Sequence, residues 1–384
     1  MKNTFSSSLI LTLILINISC AQDLKPLDGE PDNSILMEEI NYEMELVFED
    51  KNIIWAIEFL NDNSILAAVK SGSIIHFKNG EKIKIKGVPE IYLRGQGGLL
   101  DIELHPDFSE NKWLYMSYAF EENKGEGGNT TIARARLIDD SLEDLEILYK
   151  GIPNTRKGQH YGSRMAFDNE NYLYFSIGDR GNRNVNPQDI KIDGGKIYRI
   201  KDNGTIPSDN PFFDSPESRK AIFSYGHRNP QGMFKHPKTG KIWTNEHGPK
   251  GGDEINIIEK GKNYGWPKIT YGINYSGTTI TKNKSLPDME QPLYYWLPSI
   301  APSSFEYISS EVYPNWKGSL LAGALVFKYI ERIGLNEKNK VISRSKIAEG
   351  LGRPRDVKQG KDGYIYVSIE NKGVYKILPK KWNL

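Results

Sequence analysis

Asn171-Tyr172-Leu173-Tyr174, Gly240-Lys241-Ile242-Trp243 and Gly363-Tyr364-Ile365-Tyr366 repeat one local phrase, a polar or glycine turn followed by alternating aromatic and aliphatic residues. Side chains on a strand alternate between faces, and aromatic and β-branched residues favour that conformation, so each phrase predicts a β-strand. Related runs occur at Ser64 to His76 around a turn at Ser71-Gly72, and at Trp113 to Ala119. Others are Lys196 to Ile200 and Ser319 to Val326. No stretch sustains a 3.6-residue apolar stripe, which predicts few and short helices, best placed as turns at Asp189 to Lys196 and Ser215 to Ala221. A strand-rich unit returning every ~45 to 80 residues predicts propeller blades with unequal loops. A β-sandwich would not repeat the phrase about six times. The segment near Glu43 to Phe48 is expected to pair with strands after Gly363 and close the ring.

The composition agrees. The chain has 384 residues, 38% hydrophobic and 26% charged, enough apolar residues for a core and too many for a disordered chain. Its 36 glycines and 21 tyrosines suit strands and tight turns. A net charge of +1 argues against nucleic acid as a partner, because a basic excess supplies most of that affinity. The single cysteine, Cys20, excludes an intrachain disulfide framework and a thiolate metal cluster.

Cys20 also ends a targeting segment. Lys2 precedes an apolar run from Leu9 to Ile18. The run is too short to span a bilayer but suits the core of a signal peptide. Ser19-Cys20 stands where a bacterial lipoprotein would be cleaved and lipidated, although Asn17 departs from the usual leucine. The bland alternative is plain secretion with Cys20 in a discarded leader. The expected organisation is a signal over 1–20, a polar tether over 21–41 and a propeller over 42–384. Membrane contact is expected only through a lipid on Cys20. The protein is then exported, to the periplasm or the outer membrane.

Between the strands lie loops rich in Gly, Arg, His and Asn, the kind that carry sites on rigid scaffolds. Arg94-Gly95-Gln96-Gly97-Gly98 is not a dinucleotide fingerprint; Gln96 offers an amide to a planar ligand, and a plain turn is the alternative. His160 and Asp179 lie nineteen residues apart and would meet if the intervening strand returns to one blade rim. A carboxylate that fixes one imidazole nitrogen leaves the other as a base, though a lone histidine is more often structural. Arg228-Asn229 can bind a carboxylate or a developing oxyanion, or form a rim salt bridge. Asn245 to Glu254 combines acidic side chains with exposed carbonyls, an oxygen-rich set that suits calcium without being an EF-hand. Arg353-Pro354-Arg355 is ready for a polyanion. Together these loops describe a pocket for a small, flat, acidic cofactor.

Five ordered motifs now carry a resemblance. They are Gly95-Gln96-Gly97-Gly98-Leu99-Leu100-Asp101, Gly178-Asp179-Arg180-Gly181, Tyr225 to Gly232, Gly252-Asp253-Glu254-Ile255-Asn256 and Asn263-Tyr264-Gly265-Trp266-Pro267. From about Phe48 to Leu378 the chain resembles the soluble glucose/sorbosone dehydrogenases, and within them the periplasmic aldose sugar dehydrogenases that use pyrroloquinoline quinone (PQQ). The resemblance implies an all-β, six-bladed β-propeller. It implies His160 as the catalytic base, Asp179 as its orienting carboxylate and Arg228 at the reacting oxygen. It also implies Gln96, His160, Arg228, Asn229, Tyr275, Ala324, Leu325, Arg353 and Arg355 around PQQ. Carbonyls of Gly248 and Pro249 are implied for one Ca²⁺, and Glu254 with the backbone of Tyr264 for a second. One departure stands out. The family often has Gly-Ala-Leu-Lys where this chain has Gly323-Ala324-Leu325-Val326, with Lys328 expected further along the same strand face. The departure bears on cofactor affinity.

The implied reaction takes a proton from the anomeric hydroxyl of a sugar to His160 and a hydride from C1 to the quinone. A lactone results, and electrons pass to an external acceptor. Two other classes stay open, a calcium-dependent propeller hydrolase or lactonase and a non-catalytic binding propeller.

Overall fold

A computed structural model describes residues 36–37 and 40–379. The signal, Cys20 and most of the stretch read as a tether lie outside the described residues.

Twenty-four strands form six four-stranded antiparallel sheets, and a two-residue strand adds to one of them. In chain order the sheets begin at Ile54, Leu99, Met165, Pro230, Pro302 and Pro354. The first strand of each sheet contacts the first strands of its two neighbours, the sixth meeting the first, so these strands line a central channel. This is a six-bladed β-propeller. Tyr42–Phe48 pairs antiparallel with Gly373–Pro379 as the outer strand of blade six. The chain's first long strand therefore closes the ring on its last blade, as the sequence predicts. Leu36–Met37, inside the stretch read as a tether, runs parallel to Val341–Ile347 on blade five.

Six buried apolar clusters lie one at each interface between adjacent blades. This explains the repeated phrase. A second strand is sandwiched between two neighbouring blades, so both of its alternating faces must be apolar. On Tyr172–Ile177, Leu173, Phe175 and Ile177 enter the cluster with blade two, and Tyr174 enters the cluster with blade four. On Ile365–Ile369, Ile365 and Val367 face blade five while Tyr366 faces blade one. The second strands begin at residues 65, 113, 172, 242, 320 and 365, and the blades differ in both their loops and the lengths of their strands. Helix is limited, among the described residues, to Phe108–Asn111. The two segments expected to make helical turns form irregular turns instead.

Arg164 joins blades across the channel. Its Nη1 lies 2.9 Å from Asp101 of blade two and 3.1 Å from Asp356 of blade six. Its Nε donates to the carbonyl of Gln231 on blade four, and its guanidinium covers Trp55 of blade one. Asp356 also accepts the backbone N–H of Ile57, and Asp101 that of Met165. Charges this deeply buried survive only when paired and hydrogen-bonded, and here the partners come from different blades.

Candidate active site

His160 and Asp179 sit at one rim of blade three. Met165–Phe167 and Tyr172–Ile177 pair antiparallel, so the loop before the first strand meets the loop after the second. The loops touch at Gly178, where an added Cβ would lie 2.4 Å from the carbonyl oxygen of His160; only glycine permits that approach. Arg180, itself buried over the ring of Tyr161, holds the loop by donating to the carbonyls of Gln159, Lys157 and Gly128.

Nδ1 of His160 is 2.6 Å from Oδ1 of Asp179, which also accepts the Gly181 N–H. Oδ2 of Asp179 accepts the indole N–H of Trp266 at 2.9 Å. Burial alone would raise the pKa of Asp179, but His160, Arg228 and Trp266 outweigh it and hold the carboxyl below its usual range. An ionised Asp179 assigns the proton to Nδ1 and leaves Nε2 as the free basic nitrogen. Burial depresses His160 below the ordinary imidazole value; Arg228 adds to this and Asp179 opposes it. The imidazole is thus neutral near pH 7, as a base must be.

Two cavities flank this pair. One, of about 430 Å³, is lined by His160, Asp179, Arg228, Pro249, Trp266 and Tyr275 together with Lys157, Arg183 and Asn274. The other, of about 340 Å³, lies over the channel and is lined by Gln96, Asn229, Leu325, Val326, Arg353 and Arg355. Their linings are linked where the backbone N–H of His160 donates to Oε1 of Gln96 at 2.7 Å. Oδ1 of Asn229 accepts the N–H of Gly162, which commits its carbonyl and leaves its amide donors. Arg353 and Arg355 both bond Glu370.

Of the residues assigned to the quinone, His160, Arg228 and Tyr275 line the His160 cavity, with Tyr275 74% exposed. Ala324 is wholly buried in the core between blades four and five and does not line either cavity. The strand expected to reach Val326 stops at Ala324, and residues 325–328 make a turn. Lys328 therefore does not share a strand face with Val326. It has a φ of 60° and closes the turn by donating its N–H to the carbonyl of Ala324. Val326 lines the second cavity, 53% exposed.

The turn at Gly248-Pro249 is stapled by Asp253, which accepts from the Gly248 N–H and Ser299 and, through its other oxygen, from Ala301 N–H. Glu254 and Glu246 are register partners on adjacent strands, and one amide, that of Asn256, donates to both. Burial first, and then the charge of Glu246, push Glu254 up to about 8. Glu246 also holds the backbone N–H of Arg228 and the ring of His227, on which Tyr264 stacks at 4.4 Å. Glu254 and Tyr264 are thus connected through Glu246 and His227.

Three further residues escape the sequence reading. Trp266 was visible only as part of a motif, and nothing local showed that its N–H reaches Asp179. His247 lines the second cavity, donates from Nε2 to the carbonyl of Pro302 and is pushed down to about 3 by burial and Arg228. Lys70, from the end of a blade-one strand, lines the same cavity and donates to the carbonyl of Gly95. No local pattern marked it.

An imidazole–carboxylate pair beside polar cavities at one end of a propeller is the candidate catalytic site. The family model for glucose/sorbosone dehydrogenases matches residues 51–377. The aldose sugar dehydrogenase YliI of Escherichia coli is 40% identical over 336 residues, 85% of this chain and 90% of that protein. Quinoprotein glucose dehydrogenase B of Acinetobacter calcoaceticus is 32% identical over 291 residues, 68% of this chain and 58% of that protein. The crystal structure of the soluble E. coli aldose sugar dehydrogenase in its apo-form superimposes with a TM-score of 0.83 at 37% identity, covering 88% of this chain and all of that one. The chain belongs to the glucose/sorbosone dehydrogenase family. It is a sugar oxidoreductase.

Proposed function

We propose that the protein oxidises aldoses at C1 to lactones, with PQQ as oxidant, calcium as its support and an external protein or small molecule as final electron acceptor. The observation that carries this reading is the neutral His160, oriented by Asp179, between two cavities. A flat tricarboxylate fits the second cavity in chemistry: Lys70, Arg353 and Arg355 face one carboxylate, Glu370, beside the amides of Gln96 and Asn229. Bound there, the quinone would supply the acceptor for the hydride leaving C1. Nε2 of His160 takes the proton of the anomeric hydroxyl, and Asp179 stabilises the imidazolium that forms. Arg228, with Nη1 on the carbonyl of His247, presents positive charge where the reacting oxygens gather.

Calcium fits the opposed carboxylates Glu246 and Glu254, whose mutual repulsion a cation would relieve, and Oδ1 of Asn256 is buried there without a partner. Carbonyls of Gly248 and Pro249 would serve a second ion next to the His160 cavity. The hydrolase alternative needs channel carboxylates free to hold a metal, yet Asp101 and Asp356 are both taken by Arg164. Export and lipidation at Cys20 complete the proposal on sequence grounds; Cys20→Ser should move the protein from the membrane to the soluble fraction, and unchanged membrane association would count against it.

The test is reconstitution. With calcium and PQQ the protein should oxidise aldoses with an artificial acceptor, while nicotinamide cofactors remain inert. Calcium should raise the melting temperature, since a ligand at a hundredfold excess over its Kd stabilises by about 2.7 kcal/mol. If the quinone binds but no aldose is oxidised and His160→Ala changes nothing, the propeller is a binding module.

A further inference from the structure

Two cations in the His160 cavity have no part in the mechanism above. The lining carries Lys157, Arg183 and Arg228 against a single carboxylate, Asp179. Asp179 is fully engaged by His160, Gly181 and Trp266. Lys157 and Arg183 meet only neutral oxygens: Nζ of Lys157 donates to the carbonyl of Gly181, and Nη1 of Arg183 to Oδ1 of Asn274, each at 2.7 Å. Neither forms an ion pair among the described residues. Each keeps donors to spare, two on the ammonium and four on the guanidinium.

We infer that the preferred substrate is an aldose carrying a carboxylate, a hexuronic acid or a short glycan with one at its reducing end. This rests on the dehydrogenase reading and names its substrate class. The sugar's C1 faces His160, and its carboxylate is taken by Lys157 and Arg183. Position supports the assignment. Lys157 lies three residues before His160 in the same loop, and Arg183 four residues after Asp179 in the other. The two loops that fix the base therefore also fix the cations at a set distance from it. In the same lining, the exposed ring of Tyr275 offers an apolar face for the sugar, next to Asn274, which Arg183 holds. A neutral sugar would leave both cations facing the cavity without a counter-charge, whereas a guanidinium fork and an ammonium suit a carboxylate. The cofactor does not need them, because the second cavity has Lys70, Arg353 and Arg355 of its own. The carboxylate is only a handle. The bond broken remains C1–H, its electron pair leaves for the quinone, and the hydroxyl proton goes to His160 as for a neutral aldose.

The experiment has a binding arm and a turnover arm. Calorimetry on the quinone-free protein compares glucuronate and galacturonate with glucose and galactose. The uronates should bind about tenfold more tightly at low salt, roughly one charge-assisted hydrogen bond, and lose that advantage near 1 M salt, where screening acts within ~3 Å. Lys157→Gln and Arg183→Gln should each remove most of the preference. In the reconstituted enzyme the ratio of kcat/KM for glucuronate over glucose should fall about tenfold in each variant, with PQQ affinity retained. Uronates bound no more tightly than neutral sugars, or a ratio unmoved by both variants, overturns the inference. Loss of PQQ affinity in the variants also overturns it, since the cations would then serve the cofactor. Tight uronate binding without oxidation of any sugar upholds the site and overturns the dehydrogenase reading instead.

Discussion

Trp266 grips Asp179 by the oxygen that His160 leaves free: its indole N–H is 2.9 Å from Oδ2, while Oδ1 holds the imidazole. The two contacts fix the carboxylate plane from opposite sides, and that plane sets the direction of Nε2. Trp266→Phe keeps the aromatic face and removes the donor. Turnover should fall about tenfold, the worth of one buried hydrogen bond to a charged acceptor, with little change in substrate KM. Steady-state kinetics check this, and an unchanged kcat would show that Gly181 N–H and His160 suffice to hold Asp179.

The pH profile should report the same pair. As the proposed base, His160 must be neutral, and burial holds it below the ordinary imidazole value, so activity should fall only as pH drops below ~6.5. Asp179 raises the imidazole value against that burial. Asp179→Asn therefore should lower the plateau and shift the acid limb to still lower pH. His160→Ala should cost about 10²- to 10⁴-fold and abolish the limb. A limb that stays in place in His160→Ala belongs to another group.

What the sequence disclosed follows from the range of each interaction. Blade strands were legible because burial on both faces writes itself into consecutive residues such as Tyr172 to Ile177. The His160–Asp179 pair was legible because a single hairpin joins them. Trp266, His247 and Lys70 were not, since each reaches the site from another blade and a propeller brings six distant segments to one rim. Lys328 misled for a local reason: strand alternation was extended four residues past Ala324, through a turn.

Lys70 lines the same cavity as Val326, the fifth-blade position at which the resemblance implies a lysine. Burial first, and then Arg355, hold its ammonium below the ordinary lysine value, while Glu370 opposes them. An acidic ligand in that cavity would reverse the balance and favour the charged form. Lys70→Ala should weaken PQQ binding about tenfold, as read by quinone titration of the calcium-loaded protein. Val326→Lys, at a half-exposed cavity position, should strengthen binding and offset Lys70→Ala in the double variant. Equal affinities in all four proteins would remove both residues from the cofactor site.

Arg164 should matter to stability more than to chemistry. Removing it leaves Asp101 and Asp356, both 2% exposed, facing each other across the channel without a counter-charge. Arg164→Met should cost about 3–5 kcal/mol, the usual penalty for breaking one side of a buried ion pair. The sign of its pH dependence is fixed. Burial already pushes Asp101 up to about 7 in the folded protein, with Arg164 opposing, and Asp356 is raised as well. Without Arg164 both rise further, so the folded variant binds more protons than the unfolded chain, and its stability falls as pH increases from ~3.9 upward. The deficit against wild type should therefore be smallest near pH 5 and largest above pH ~7, as measured by denaturant unfolding across that range. Adding Asp101→Asn and Asp356→Asn should flatten the dependence. A deficit independent of pH would mean that Arg164 contributes through its packing on Trp55 and not through its charge.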